Sequence, residues 1–127
     1  MNESVGKLIL RLALGGMILL HGIGKLVGGI GGISGMVSAA GLPAILAYGV
    51  YVGEVVAPIL LILGWYSRVA AVVIAINMVF AVALAHANQI FTLSQTHGWA
   101  LELQGMFFFT ALALALLGPG RFALNQK

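Results

Sequence analysis

The stretch PAILAYGVYVGEVVAPILLILG, residues 43–64, decides the fold. It is apolar over the roughly 20 residues that a helix needs to cross a bilayer, and its one formally charged side chain is Glu54. A carboxylate at mid-depth in hydrocarbon costs at least ~2.5–3.5 kcal/mol, so a partner, a proton or a water-filled cavity has to offset it. Glu54 is therefore where chemistry or binding is expected. Pro58, four residues on, brings no N–H to the Glu54 carbonyl, so the helix is expected to kink and leave that oxygen to a side chain, a water or a ligand.

Outward from this stretch, apolar runs bounded by glycine, proline and cations mark three further spans, about 5–27, 69–89 and 100–117. Of 127 residues, 61% are hydrophobic and 7% charged, with mean hydropathy +1.11, which leaves room for four membrane helices and no separate soluble domain. The expected fold is all-α, an integral membrane four-helix bundle forming one domain over residues 1–127. Lys7 and Arg11 before an apolar run imitate a secretory signal, but no small-x-small cleavage site follows Gly22, so this run is read as a mature first helix. Between the first two spans, GGIGGISGMVSAAGLP (28–43) carries too much glycine for a stable helix interior, and a loop with a short turn around 36–40 is expected. It is not a phosphate loop, because no Gly-Lys-Ser/Thr follows and no strand precedes.

Cysteine is absent, which excludes a dithiol relay, a disulfide framework and a thiolate-held metal or iron–sulfur centre. Aspartate is absent too. A net charge of +3 from six cations and three glutamates is too small to argue for nucleic acid. In a membrane protein such an excess orients the helices. Lys7, Arg11, Arg68, Arg121 and Lys127 fall on one side of a four-span zigzag and Lys25 on the other, so both termini are expected in the cytoplasm. Arg11 and Lys25, near the two ends of span one, are expected to snorkel to headgroups. Trp65, Tyr66 and Trp99 take interfacial anchor positions.

The remaining polar side chains gather in the outer half. His21 and Lys25 share a face of span one. Glu54 lies about 16 Å below the start of span two. His86, Asn88 and Gln89 close span three, and His97, Glu102 and Gln104 open span four. Intramembrane ionisable groups turn toward one another, so an outward-opening pocket is expected with Glu54 as proton carrier and His21, Lys25, His86 and Glu102 as ligand-binding residues; no metal site is expected. At 100° per residue His86 lies about 180° from Asn77 and about 160° from Asn88, which assigns His86 to the pocket and Asn77 to an interhelical hydrogen bond. Each residue also has a plainer reading. Glu54 can be a structural acid paired to a cation, His21 and His86 ordinary interhelical hydrogen-bonders rather than haem or metal ligands, His97 a solvated loop residue, and Phe107 to Phe109 apolar bulk. Gly15, Gly16, Gly22, Gly49 and Gly53 suit close helix approach in lipid.

The ordered set Arg11-Leu12-Ala13-Leu14-Gly15, His21-Gly22, Lys25-Leu26, Gly41-Leu42-Pro43, Glu54, Leu63-Gly64, Arg68 and Gly118-Pro119-Gly120-Arg121-Phe122 resembles the DoxX family, and the likeness covers nearly the whole chain. The resemblance implies a small four-helix protein of the bacterial cytoplasmic membrane, in a family associated with thiosulfate:quinone oxidoreductase, with membrane redox and oxidative-stress complexes, and with assembly of partner proteins. The closing segment of the family commonly ends in an acid where this chain has Asn125, so a role for that acid does not transfer. The leading reading is thus a subunit or accessory of a quinone-linked redox or oxidative-stress complex. No covalent cofactor is expected, and a quinone is the candidate non-covalent one. Partners would be the lipid bilayer, another membrane or soluble subunit, or a second copy, and not nucleic acid. The alternative is a non-catalytic scaffold or assembly factor. A small transporter and a bis-His haem protein rank below both.

Overall fold

Every element of a computed structural model of the chain is helical, and no strand occurs among the described residues, which are 2–28, 35, 37–43, 48–83 and 101–126. For Lys25, Leu26, Val50 and Glu102 the backbone alone is described. Helix α1 runs Asn2–Gly28. The second helix is continuous but changes pitch, from α2 (Gly49–Tyr51) through a π-helical turn (Val52–Val56) to α3 (Ala57–Leu63). Helix α4 is Ser67–Ala81 and α5 is Glu102–Leu117. After Gly118 the chain leaves helix and runs to Gln126 as an irregular strap.

Within α1, Asn2–Gly24 is long and apolar enough to cross a membrane. Val52–Leu63, Ser67–Ala81 and Leu103–Leu117 are apolar but shorter over their described lengths. The expected spans 43–64, 69–89 and 100–117 each reach beyond the described residues, at 44–47, 84–89 and 100 respectively.

Helix ends follow local chemistry. At the end of α3, Gly64 takes φ 72° while its N–H bonds Leu61 O and that of Trp65 bonds Leu60 O, the paired closure that requires a left-handed residue. The same closure ends a turn at 37–42, where Gly41 has φ 82° and Leu42 N–H reaches Val37 O. The expected turn in the glycine-rich connection is therefore present, centred slightly later than 36–40, with Val37 buried.

The core is drawn from one face of each helix. Leu14 and Ile18 come from α1, Ala57 and Leu61 from the second helix, Ala70, Ala71, Ile74, Ala75 and Met78 from α4, and Phe107, Ala111 and Leu114 from α5. Spacings of three, four and seven put each set on one helical face. Alanines at the α4–α5 seam let this pair pack most extensively, as small residues do where lipid gives no hydrophobic drive to association. Large apolar residues such as Ile9, Met17, Leu20, Ile76, Met106, Phe109 and Leu116 face outward.

Candidate functional site

Glu54 sits in the π-helical turn and is 5% exposed, so its side chain belongs to the bundle interior. The turn is what Pro58 produces. With no N–H at Pro58 the chain widens by one residue, and Ala57 N–H bonds Val52 O, five residues back. The Glu54 carbonyl is not left open for a ligand, contrary to the sequence-based expectation. The Cα of Gly22 on α1 presses against it so closely that a Cβ would overlap the oxygen. Gly15, seven residues before Gly22 on the same face, meets Pro58 O and the Ile62 side chain in the same way. On the opposite side Gly53 receives the side chain of Asn77, whose Cγ would lie 2.6 Å from a Cβ there. Asn77 thus crosses to the second helix, but its Nδ2 is buried without a hydrogen-bond partner among the described residues. Gly16 and Gly49 face open space, so close approach holds at three of the five glycines named for it.

His21 lies beside Gly22 and therefore at the level of Glu54, but it points the other way. It is exposed, meets Phe107 edge-on with ring centroids 5.9 Å apart, and with Met17, Leu20, Leu103 and Phe107 lines a groove of ≈ 370 Å³ between α1 and α5. Glu54 is not among the lining residues. The acid and the imidazole thus occupy two adjoining places, one inside the bundle and one on its surface. His86, Asn88, Gln89, His97 and Trp99 lie outside the described residues, as do the side chains of Lys25 and Glu102. Among the described residues no three His, Asp or Glu side chains come together as a metal ion would need.

The sequence-wide order of these features has a counterpart in known proteins. The DoxX family model matches residues 6–87. The chain belongs to the DoxX family. It is 31% identical over 122 residues to an uncharacterized Haemophilus influenzae protein, covering 93% of this chain and 87% of that one. It is 29% identical over 127 residues to a Bacillus subtilis protein named "Putative oxidoreductase CatD", covering 98% and 90%. No solved structure matches it.

In this DoxX protein several segments that carry the likeness meet at the end of the bundle where α1 begins and α5 stops. Arg11 was expected to reach headgroups; instead it is 1% exposed, and its Nη2 donates to Phe122 O at 2.5 Å. Its Nη1 lies where a Cβ of Gly64 would be. The cause is the strap, which folds back over this end. Arg121 N–H donates to Ser4 Oγ (3.2 Å), Asn125 N–H to Gly64 O (3.2 Å), and Tyr66 N–H to Asn125 Oδ1 (3.0 Å). Asn125 so steadies Tyr66, the residue before α4, at its left-handed φ of 51°. An acceptor oxygen is what the position needs, and the Asn125 amide supplies it. Arg68 is exposed and donates to Ala115 O (3.3 Å) and Leu116 O (3.2 Å), capping the last turn of α5. Sequence reasoning missed the burial of Arg11. The available signal was phase: Arg11, Leu14 and Ile18 stand at i, i+3 and i+7, the spacing of a single buried face.

Proposed function

We propose that this DoxX protein is a multi-pass, four-helix protein of the bacterial cytoplasmic membrane, both termini cytoplasmic, that seats a quinone as a subunit or accessory of a membrane redox or oxidative-stress complex. The observation that carries the reading is the groove at His21. Its lining is apolar apart from one imidazole, and it opens on the outer surface between α1 and α5. A quinone joins a ring bearing carbonyl oxygens to a long apolar tail, so an imidazole donor beside Phe107, in a groove that opens toward acyl chains, matches both parts. The volume lies within the usual range for a small-molecule site, about 300–1,000 Å³. When bound, the quinone supplies two-electron chemistry, and the electrons come from a partner subunit.

The chain's own share is binding and proton handling. His21 orients the ring by hydrogen bonding from its imidazole. Glu54, behind Gly22 at the same depth, is the carboxyl group placed to hold a proton for the complex. The Bacillus subtilis relative's name adds weight to a redox setting.

The test is purification in mild detergent followed by extraction and identification of quinones. A quinone should co-purify with wild type and with Glu54→Gln, and be lost from His21→Leu. Failure to retain a quinone, together with failure to bind added quinone, removes the reading. A non-catalytic scaffold draws on the exposed apolar rows of α1 and α5; recovery of the same partner protein by wild type and His21→Leu alike, without quinone, would favour it.

A further inference from the structure

The least reconciled group in the molecule is the Arg11 guanidinium. It is 1% exposed, one nitrogen serves Phe122 O, and Nε and Nη1 are buried without a hydrogen-bond partner among the described residues. Removing a cation from water costs several kcal/mol unless an opposite charge and full hydrogen bonding offset it. A second orphan shares this end of the bundle. Ser67 is 1% exposed and its Oγ also has no partner among the described residues. Ser67 is the first residue of α4, a helix of 15 residues, and it follows within three residues of Gly64, whose missing Cβ admits the Arg11 nitrogen. The first turn of such a helix offers backbone N–H groups and the positive end of the dipole. Lys7, Arg68 and Arg121 flank the same end, and Glu3 is the acid that lies there among the described residues.

Idle guanidinium N–H groups, an idle hydroxyl and a helix N-terminus are all donors, and together they describe an acceptor with several oxygens and negative charge. We propose that Arg11, Ser67 and the first turn of α4 bind a phosphate group, with the strap from Gly118 to Asn125 closing over it. A tetrahedral phosphate can take hydrogen bonds from several donors at once, and the planar Arg fork, the hydroxyl and the backbone at this end would be those donors. The phosphate can belong to an anionic phospholipid headgroup, because basic recesses between membrane helices hold such headgroups, or it can be free inorganic phosphate. Entry requires the strap to give up its hydrogen bonds to Gly64 and Ser4 and those that Phe122 O and Asn125 Oδ1 accept from Arg11 and Tyr66.

The experiment is thermal unfolding of the full chain in lipid-free dodecyl maltoside micelles, with inorganic phosphate added in one arm and phosphatidylglycerol in the other, and bound lipid counted by native mass spectrometry. Saturable stabilisation by phosphatidylglycerol alone assigns a headgroup, and stabilisation by inorganic phosphate assigns the free anion; either supports the site. Ser67→Ala and Arg11→Lys should each weaken the apparent affinity about tenfold, while Gly24→Ala, toward the other end of α1, should leave it unchanged. Should Arg11→Lys not fold, Ser67→Ala decides alone. The proposal is overturned if neither phosphate source stabilises beyond dodecyl maltoside alone, if Ser67→Ala binds like wild type, or if Gly24→Ala weakens binding as much as the site variants do.

Discussion

Two buried ionisable groups, Glu54 at mid-bundle and Arg11 at the end that carries the strap, are housed in different ways. Glu54 is placed by its own helix. Pro58 forces a π-helical turn, the turn rotates the acid inward, and Gly22 lets α1 close against the exposed carbonyl. Arg11 is placed by a segment 111 residues away, whose Phe122 carbonyl takes one of its N–H groups. The first arrangement is local and rigid, while the second rests on tertiary contacts of an irregular strap. The middle of the bundle is accordingly expected to tolerate loss of charge but not gain of bulk, and the strap end to depend on the few polar contacts that hold the strap.

The largest effect is predicted for Gly22→Ala. A methyl group there would meet the Glu54 carbonyl, and Val55 Cγ2 at 2.9 Å. Backbone cannot yield as a flexible side chain does, so the destabilisation should reach or exceed about 3 kcal/mol, the upper part of the overpacking range. Gly24→Ala, two residues on in the same helix, meets nothing within 4 Å and should be neutral or slightly stabilising, since alanine is the better helix former by about 1 kcal/mol. Thermal unfolding of the pair in one detergent checks this, and equal midpoints would show that α1 does not close on the π-helical turn.

Next in size is the strap. Asn125→Ala removes the acceptor for Tyr66 N–H and should cost about 1 kcal/mol, as loss of a helix-start acceptor does. Asn125→Asp keeps an acceptor oxygen and adds a negative charge within the turn that borders Arg11, so it should be at least as stable as wild type. The reverse ranking, with aspartate the worse of the two, would mean that the strap is not held through this oxygen. Limited proteolysis after Gly118 offers a second readout, because Asn125→Ala should expose the strap and Asn125→Asp should not.

What could be read from the sequence follows the same division. The acid in residues 43–64, the helical runs and the clustering of Lys7, Arg68 and Arg121 depend on composition and short-range spacing, and these are properties a linear reading registers. The π-helical turn is half legible. Pro58 announces a disturbed carbonyl four residues back, yet which neighbour fills the space depends on Gly22 arriving from another helix. Arg11 illustrates the limit. Proximity to a helix end suggests snorkelling, and only the strap, a glycine–proline segment with no periodicity of its own, converts that end into an interior. His21 fails for a related reason: sharing a depth with Glu54 does not mean sharing a cavity, because α1 turns the imidazole outward while the backbone of Gly22 faces in.

The smallest change in stability, and the sharpest division between readings, is predicted for Glu54→Gln. Glutamine has nearly the shape of a protonated glutamic acid and carries no charge. If Glu54 passes a proton, the neutral side chain is one of its working states, and the bundle must already accommodate it. The variant should then match wild type within about 1 kcal/mol, since relief from burying a charge offsets any weaker hydrogen bond, and the complex it serves should lose turnover. If Glu54 is instead a structural acid fixed to a cation, glutamine leaves that cation buried and uncompensated, and the loss should be about 3–5 kcal/mol. One unfolding midpoint therefore separates a protonic role from an architectural one, before any substrate or partner has been identified.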